Sequence, residues 1–165
     1  MTALTVDQLA PHLQTHLRAA AARAILSAAN RIVQVIVTEI IPQTNPQPVD
    51  QGFYRSGFRA QPMPGGAELK NTMPYASIIE WGARAENIKV GRKMIDALTE
   101  WVTRKRLPLD KGQTPRQVAW AIAMAMKRRG IFHEGKGLRV VERAMERFPE
   151  ILRQEFAREL KREFG

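Results

Sequence analysis

The feature that most constrains the fold is a stripe of apolar residues at helical spacing near the start of the chain. Thr5 and Gln8 fit a capping box, in which each side chain bonds the backbone N–H of the other residue. The apolar positions are Leu9, Leu13, Leu17, Ala20, Ala24, Ala28, Ile32, Val35 and Ile36. Their spacing predicts one long helix from about Val6 to Ile41. Its last residues are β-branched and could form a strand instead, but Pro42 closes the segment in either case.

Alanines dominate the middle of this predicted helix, at residues 19–22 and 28–29. Small side chains would let another helix or a neighbouring subunit approach closely. Alanine is also the residue that most favours the helical state, so the run has a second explanation that needs no partner. The sequence alone is compatible with both.

A second apolar stripe predicts a helix from Lys136 or Gly137 to Phe164. Its members are Leu138, Val141, Met145, Phe148, Leu152, Phe156, Leu160 and Phe164. Pro149 should bend or divide this helix, because proline removes a backbone donor and crowds the preceding turn. Two charged sets lie off the stripe: an arginine row of Arg139, Arg143 and Arg147, and a mixed set of Glu155, Glu159, Glu163, Arg158 and Arg162. The mixed set is typical of a solvated face with modest local pairing.

Between residues 49 and 82 the pattern changes to short elements. Asp50 can accept a backbone N–H at a turn or helix cap, and a one-turn helix beginning near Phe53 follows. Residues 58–63 and 67–72 then form a predicted β-hairpin, reversed by the glycines and proline at 64–66. Pro74 can open a short helix that Gly82 ends. With their flanks, these elements predict an α+β fold in which a small antiparallel β-sheet packs against long N- and C-terminal helices.

Residues 83–130 form a predicted helical hairpin inserted into this arrangement. Its first helix spans about 90–106, and its second begins at Thr114 with Pro115 at the first position and Gln117 at the third. Trp120 and Met124 lie off the main apolar face of the second helix. They are candidates for core packing, which is favoured, or for a subunit contact.

Length and composition narrow the class of protein. The 165 residues fit one domain, 1–165, and the lack of cysteine excludes disulfides, thiolate catalysis and cysteine-ligated metals. The first thirty residues do not have the order of a signal peptide. The apolar run Ile32–Ile41 is too short to cross a bilayer, so we expect no membrane association.

The net charge of +10 is concentrated in the second half of the chain. Residues 1–83 carry six basic and five acidic side chains, whereas residues 84–165 carry 20 and 11. Such a field attracts nucleic acid or an acidic protein surface, or it remains a solvated surface. The candidate contact residues are Arg104, Lys105, Arg106, Lys127, Arg128 and Arg129. Few aromatic residues lie near them in sequence, so we expect phosphate contact rather than base stacking.

Nothing in the sequence predicts catalysis, a cofactor or a metal site. Residues 130–137 approach the phosphate-binding pattern Gly-x4-Gly-Lys-Ser/Thr, but Gly137 stands where a hydroxyl is required and a basic helix precedes the loop. His12 and His16 lie four residues apart without a third ligand. We therefore expect no enzymatic activity.

Two short motifs stand out within residues 49–82. Asp-x-Gly-x-x-Arg-Ser is met by Asp50, Gly52, Arg55 and Ser56, and Tyr-Ala-x-x-x-Glu-aromatic-Gly is met by Tyr75, Ala76, Glu80, Trp81 and Gly82. In this order the motifs resemble the small tail-component family of long-tailed bacteriophages, which are head–tail joining, neck or tail-completion proteins. The resemblance covers under half of the chain. The inserted residues 83–130, and the lack of a proline-rich loop before the last helix, depart from it.

The resemblance implies a structural virion protein, made in the host cytoplasm and located at the head–tail interface as part of a ring around the DNA channel. The implied partners are further copies of the chain, with six-fold symmetry favoured over twelve-fold, head-completion and tail-tube or tail-terminator proteins, and genomic DNA. Candidate subunit contacts are Trp120, Met124, Arg139, Arg143 and Arg147. The alternative function is that of a free, basic DNA-binding protein without sequence specificity.

Overall fold

The computed structural model describes residues 6–45, 51–132 and 136–165, with side chains of the first helix described from Ala10 onward. The helices are α1 (Val6–Val35), a π-helical turn (Ile36–Ile40), α2 (Ile41–Gln43), α3 (Phe53–Ser56), α4 (Ala76–Trp81), a 3₁₀ turn (Ala85–Asn87), α5 (Arg92–Arg104), α6 (Pro115–Arg129), α7 (Val140–Met145) and α8 (Phe148–Phe164). The strands are β1 (Phe58–Met63) and β2 (Gly66–Asn71). The predicted α+β class, mostly helical with one small antiparallel sheet, is confirmed.

The chain forms two compact units. Residues 1–76 and 140–165 make up the terminal unit, and residues 77–139 make up the inserted unit. The inserted unit begins and ends a few residues beyond the predicted insertion of 83–130. It carries 14 basic and 6 acidic side chains, whereas the terminal unit carries 12 and 10. Most of the net positive charge therefore belongs to the inserted unit.

The first helical segment is continuous from Val6 to Gln43, but it changes register near its end. The β-branched residues 36–40 form a π-helical turn rather than the alternative strand, and the N–H of Ile41 bonds the carbonyl of Ile36. Pro42 explains this turn, because an α-helical register would press its ring against a carbonyl of the preceding turn. The wider turn admits the proline, and the helix ends at Gln43 rather than at Ile41.

Helix α1 is the central helix of the terminal unit, on which its other elements pack. Ala20, Ala24, Ala28, Ile32 and Ile36 are all fully buried, and both α8 and the hairpin pack on this helix. The alanines thus allow close approach of other elements of the same chain. By length and composition, residues 10–43 are the one stretch in the described chain that could also cross a membrane.

The C-terminal helix is divided as Pro149 predicts. Helix α7 ends at Met145, and α8 begins at Phe148 with the proline in its first turn. The start of the first segment differs from the prediction, since Arg139 has a left-handed φ of 51° and the helix begins only at Val140.

The buried face of α8 corrects the sequence interpretation. Ile151, Glu155 and Glu159 are its buried residues, whereas Leu152, Phe156 and Leu160 are only half-buried and Phe164 is 52% exposed. The glutamates are not on a solvated face. Basic side chains of α1 reach across to them: Arg31 donates to Glu155 (2.9 Å) and Arg23 donates to Glu159 (2.7 Å).

The β-hairpin confirms the prediction to within one residue of β2. Phe58 pairs with Asn71 and Met63 pairs with Gly66, which leaves Pro64 and Gly65 as the two-residue loop. Gly65 has a φ of 75°, as the third position of a type II turn requires. Within the described residues the sheet has two strands.

The inserted unit is built on the helical pair α5 and α6. Thr114 and Gln117 form the predicted capping box, with Pro115 at the first helical position. The residues of α6 that are fully buried are Ala119 and Ala123, one position away from the predicted face of Val118 and Ile122. Alanines at the contact let α5 and α6 pack closely. The larger side chains of α6 are therefore displaced toward its flanks.

Candidate nucleic-acid and subunit-contact surfaces

The C-terminus of α4 is held by backbone bonds from a distant segment. Gly82 N–H bonds the carbonyl of Ile78 (2.7 Å), while Leu138 N–H bonds that of Ile79 (2.8 Å) and Arg139 N–H bonds that of Glu80 (3.2 Å). These bonds satisfy carbonyls that a helix end otherwise leaves unpaired. The end of α4, where Glu80, Trp81 and Gly82 of the second motif lie, thus anchors Leu138 and Arg139.

Gly137 makes this contact possible. A Cβ atom at this position would overlap the carbonyl group of Glu80 and the amide of Trp81. Gly137 is therefore required by a backbone contact within the inserted unit, although it belongs to the residues that resemble a phosphate-binding pattern.

A second contact joins the residues after α4 to the end of α6. Ala83 and Ile131 form an antiparallel bridge in which each N–H bonds the other carbonyl. The 3₁₀ turn at 85–87 also packs on α6. Helix α6 therefore ends next to the residues that precede α5, with Ala83 paired to Ile131 just beyond its last turn.

The Trp81 ring forms a cation–π pair. The guanidinium carbon of Arg139 lies 4.3 Å from the ring centroid, and 53% of Trp81 is exposed. Arg139 reaches the ring from a left-handed backbone conformation, which costs a non-glycine residue about 1–2 kcal/mol. Its N–H bond to Glu80 and its stacking on Trp81 offset this cost. The pair is a fixed surface feature.

The two predicted basic runs lie at the C-terminal ends of the two paired helices. Lys127, Arg128 and Arg129 form the last turn of α6, next to the Ala83–Ile131 bridge. Arg104 is the last residue of α5, and Lys105 and Arg106 begin the connection to α6. Near the other ends of both helices, Asp96 of α5 pairs with Arg116 of α6.

The sequence interpretation did not place Arg84 and Trp81 near the end of α6. Arg84 follows the bridge residue Ala83, and its side chain is 75% exposed. Trp81 lies two residues before the same bridge. A single β-bridge between distant segments has no periodicity, so no pattern in the sequence could reveal this proximity.

The first motif is built into the terminal unit as a turn and a strand entry. Gly52 precedes α3 with a φ of 78°, Ser56 Oγ donates to the carbonyl of Phe53 (3.2 Å), and Arg55 is exposed. Tyr75 is 38% exposed and Ala76 is half-buried at the start of α4. Asp50 lies outside the described residues. Gly52 and Ser56 thus shape the backbone of the turn that leads into the hairpin.

Trp120 is exposed, contrary to the favoured interpretation as core. Its exposed fraction is 57%, and it borders an open groove of about 390 Å³ whose lining residues are Ile95, Thr114, Arg116, Gln117 and Trp120. Arg116 is fixed at the rim by a 2.7 Å ion pair with Asp96. Met124 is half-buried on the same helix. A large exposed aromatic beside a groove fits a protein contact.

The predicted arginine row of the last helix is not a row. Arg139 precedes the helix and stacks on Trp81, Arg143 is half-buried in α7, and Arg147 pairs with Glu39 at the N-terminus of α8. The break at Pro149 and the late start of α7 separate these side chains. Their sequence spacing of four residues assumed one unbroken helix.

A charged cluster joins the N-terminal part of α1 to the C-terminal end of α8. Glu163 accepts hydrogen bonds from His16 and from Arg23, and together these bonds hold the pKa of the Glu163 carboxyl below its usual value. The pKa of Arg23 is raised by its bonds to Glu159 and Glu163. In the described part of the chain, no three histidine or acidic side chains are placed to hold a metal ion.

Comparisons of the chain with protein-family models, with curated proteins and with solved structures each find no match.

Proposed function

We propose that this protein is a structural component of a bacteriophage virion that joins the head to the tail, as one subunit of a neck or tail-completion ring. The proposal rests on one observation, the ordered pair of motifs at Asp50–Ser56 and Tyr75–Gly82, which resemble those of the tail-component family. It is not an enzyme in this proposal. Its partners are copies of itself, head-completion and tail-tube or tail-terminator proteins, and the DNA in the channel.

The positions of the motif residues support this interpretation. Gly52 and Gly82 both occupy left-handed backbone conformations, with φ of 78° and 75°, that glycine adopts without strain. Glu80 and Trp81 lie at the helix end that anchors residues 138–139. The matched residues thus have structural roles on the backbone, as expected if they define a common fold rather than a reactive site.

Deletion of the gene from the phage tests the proposal. We expect DNA-filled heads and separate tails to accumulate, because each would lack the ring that connects them. Electron microscopy of lysates measures the ratio of free heads and tails to complete particles, and expression of the wild-type protein in trans should restore joining. Normal numbers of infectious particles without the gene would contradict the proposal.

A second candidate function is non-sequence-specific nucleic-acid binding. It is favoured by the excess of 14 basic over 6 acidic side chains in the inserted unit. Such a field attracts phosphates at low ionic strength. Retention of the purified protein on DNA that weakens steeply with added salt would support this function, and no retention at low salt would refute it. This outcome is independent of the gene deletion.

A further inference from the structure

We propose that one end of the inserted unit binds single-stranded nucleic acid, with backbone phosphates on the last turn of α6 and a base stacked at Trp81. We call this surface the basic end, and its residues are Trp81, Arg84, Lys127, Arg128, Arg129 and Arg139. The inference rests on the nucleic-acid-binding function proposed above. It specifies where the ligand lies and which form of nucleic acid is preferred.

The cations of the basic end are available to a ligand. Lys127, Arg128 and Arg129 are exposed, and none of them forms an ion pair with another described residue. Arg84 has only a 3.9 Å pair with Glu86, and both side chains are more than 70% exposed. Exposed pairs of this kind contribute little and are readily exchanged. Phosphates can therefore replace water at four cations without breaking a buried interaction.

An aromatic ring at the same end adds a second kind of contact. The Arg139 guanidinium stacks on the Trp81 ring, while 53% of the residue stays exposed. The backbone on both sides of the ring is fixed, through the bonds of Gly82 to Ile78 and of Arg139 to Glu80. Binding to a ring that is already ordered costs less conformational entropy than binding to a mobile one.

The combination favours unpaired bases over duplex. Every base has a face that can stack on an aromatic ring, and this contact does not depend on sequence. In a duplex the bases are stacked on each other, so contact with Trp81 would require a base to leave the helix, which is unfavourable. Phosphates alone would not discriminate in this way. The tryptophan is therefore the source of the expected preference.

Fluorescence anisotropy of the full-length protein with a labelled 20-nucleotide strand, and with the duplex of the same sequence, tests the proposal. We expect tighter binding of the single strand. Neutralisation by Lys127→Gln, Arg128→Gln and Arg129→Gln together should raise its Kd at least about tenfold at low salt and reduce the slope of log K against log salt by about 2. The matched control, Arg92→Gln, Lys93→Gln and Arg116→Gln, removes the same charge from the first turns of α5 and α6, where Arg92 and Arg116 lie beside Asp96, and should have a much smaller effect.

The ring is tested separately. Trp81→Ala should raise the Kd for the single strand about tenfold, Trp81→Phe should retain most of the affinity, and Trp120→Ala should leave it unchanged. Tryptophan fluorescence tests directly whether the strand contacts this ring. Quenching of tryptophan emission by the strand should be lost in Trp81→Phe and kept in Trp120→Phe. Equal effects of the two charge variants, equal affinity for strand and duplex, or quenching that survives Trp81→Phe would overturn the proposal.

Discussion

At Gly137 the chain passes so close to α4 that there is no room for a side chain. We predict that Gly137→Ala lowers the free energy of unfolding by about 1–3 kcal/mol, because the new Cβ would overlap the Glu80 carbonyl and force the backbone bonds of Leu138 and Arg139 apart. Urea denaturation followed by circular dichroism measures the change.

A matched glycine replacement separates this steric effect from the general effect of glycine on the unfolded chain. Gly66→Ala in β2 would place its Cβ in ordinary van der Waals range of Met63 only, so we expect a change within about 0.5–1 kcal/mol in either direction. If Gly137→Ala is no more destabilising than this control, the close contact with α4 is not rigid.

Glu155 is a buried charge whose partners come from two helices. It is 2% exposed, and it accepts from Arg31 of α1 and from Arg158 of its own helix, both at 2.9 Å. We predict that Glu155→Gln destabilises the protein by about 1–2 kcal/mol, since an amide makes weaker bonds to guanidinium groups than a carboxylate does. Glu150→Gln, which disrupts an exposed pair with Arg153, should change stability by no more than about 0.5 kcal/mol. Equal effects in thermal melts would show that burial of Glu155 adds nothing.

At the scale of elements, the contact between α1 and α8 should depend on pH. The folded state holds the pKa of Glu163 below its usual value, mainly through His16 and then Arg23. The unfolded chain therefore binds the proton first as pH falls, so this contribution is complete above the usual pKa of about 4.3 and is lost as pH drops through the lowered value.

The Glu163→Gln variant tests this dependence. We expect the wild-type melting temperature to fall more steeply than that of the variant between about pH 5 and pH 3, because only the wild type loses this carboxylate. The two proteins should converge at the acid end of the range. A constant difference in melting temperature across the whole range would show that the ionised form of Glu163 has no special role.

Local chemistry explains which elements were predictable. The Thr114–Gln117 capping box, the Pro64-Gly65 turn and the break near Pro149 each depend on residues that are adjacent or nearly so in sequence. The buried face of α8, in contrast, depends on residues that are distant in sequence. Its apolar stripe looks like the core side by periodicity alone, yet Glu155 and Glu159 are buried because α1 supplies arginines to pair with them.

The candidate surfaces were only partly predictable for the same reason. The cations of α6 and the off-face position of Trp120 could be identified from the helical pattern. Their surroundings could not, because only the bridge between Ala83 and Ile131 brings the segment with Trp81 and Arg84 to the end of α6. A helical pattern also cannot tell whether an off-face tryptophan is covered, and Trp120 is not.

At the scale of the whole molecule, a ring requires that two different faces of one subunit meet on its neighbour. The groove at Trp120 is our candidate for one of them, since it combines a 57% exposed indole with the fixed Arg116–Asp96 pair. Tryptophan and arginine are enriched among the residues that dominate protein interfaces. The free protein can remain monomeric under this hypothesis until the virion provides a template for assembly.

Replacing Trp120 with glutamate tests this face in the phage. Because the side chain is already exposed, we predict that Trp120→Glu keeps the circular dichroism spectrum and shifts the melting temperature by no more than a few degrees. The variant should nevertheless fail to restore joining when it is supplied to a phage that lacks the gene, since a charge placed in an apolar contact loses its hydration without gaining a partner. Leu109→Glu, at another exposed apolar position of the inserted unit, should complement normally. Unfolding of Trp120→Glu would contradict the exposure of this residue, and complete particles with the folded variant would place the subunit contact elsewhere on the chain.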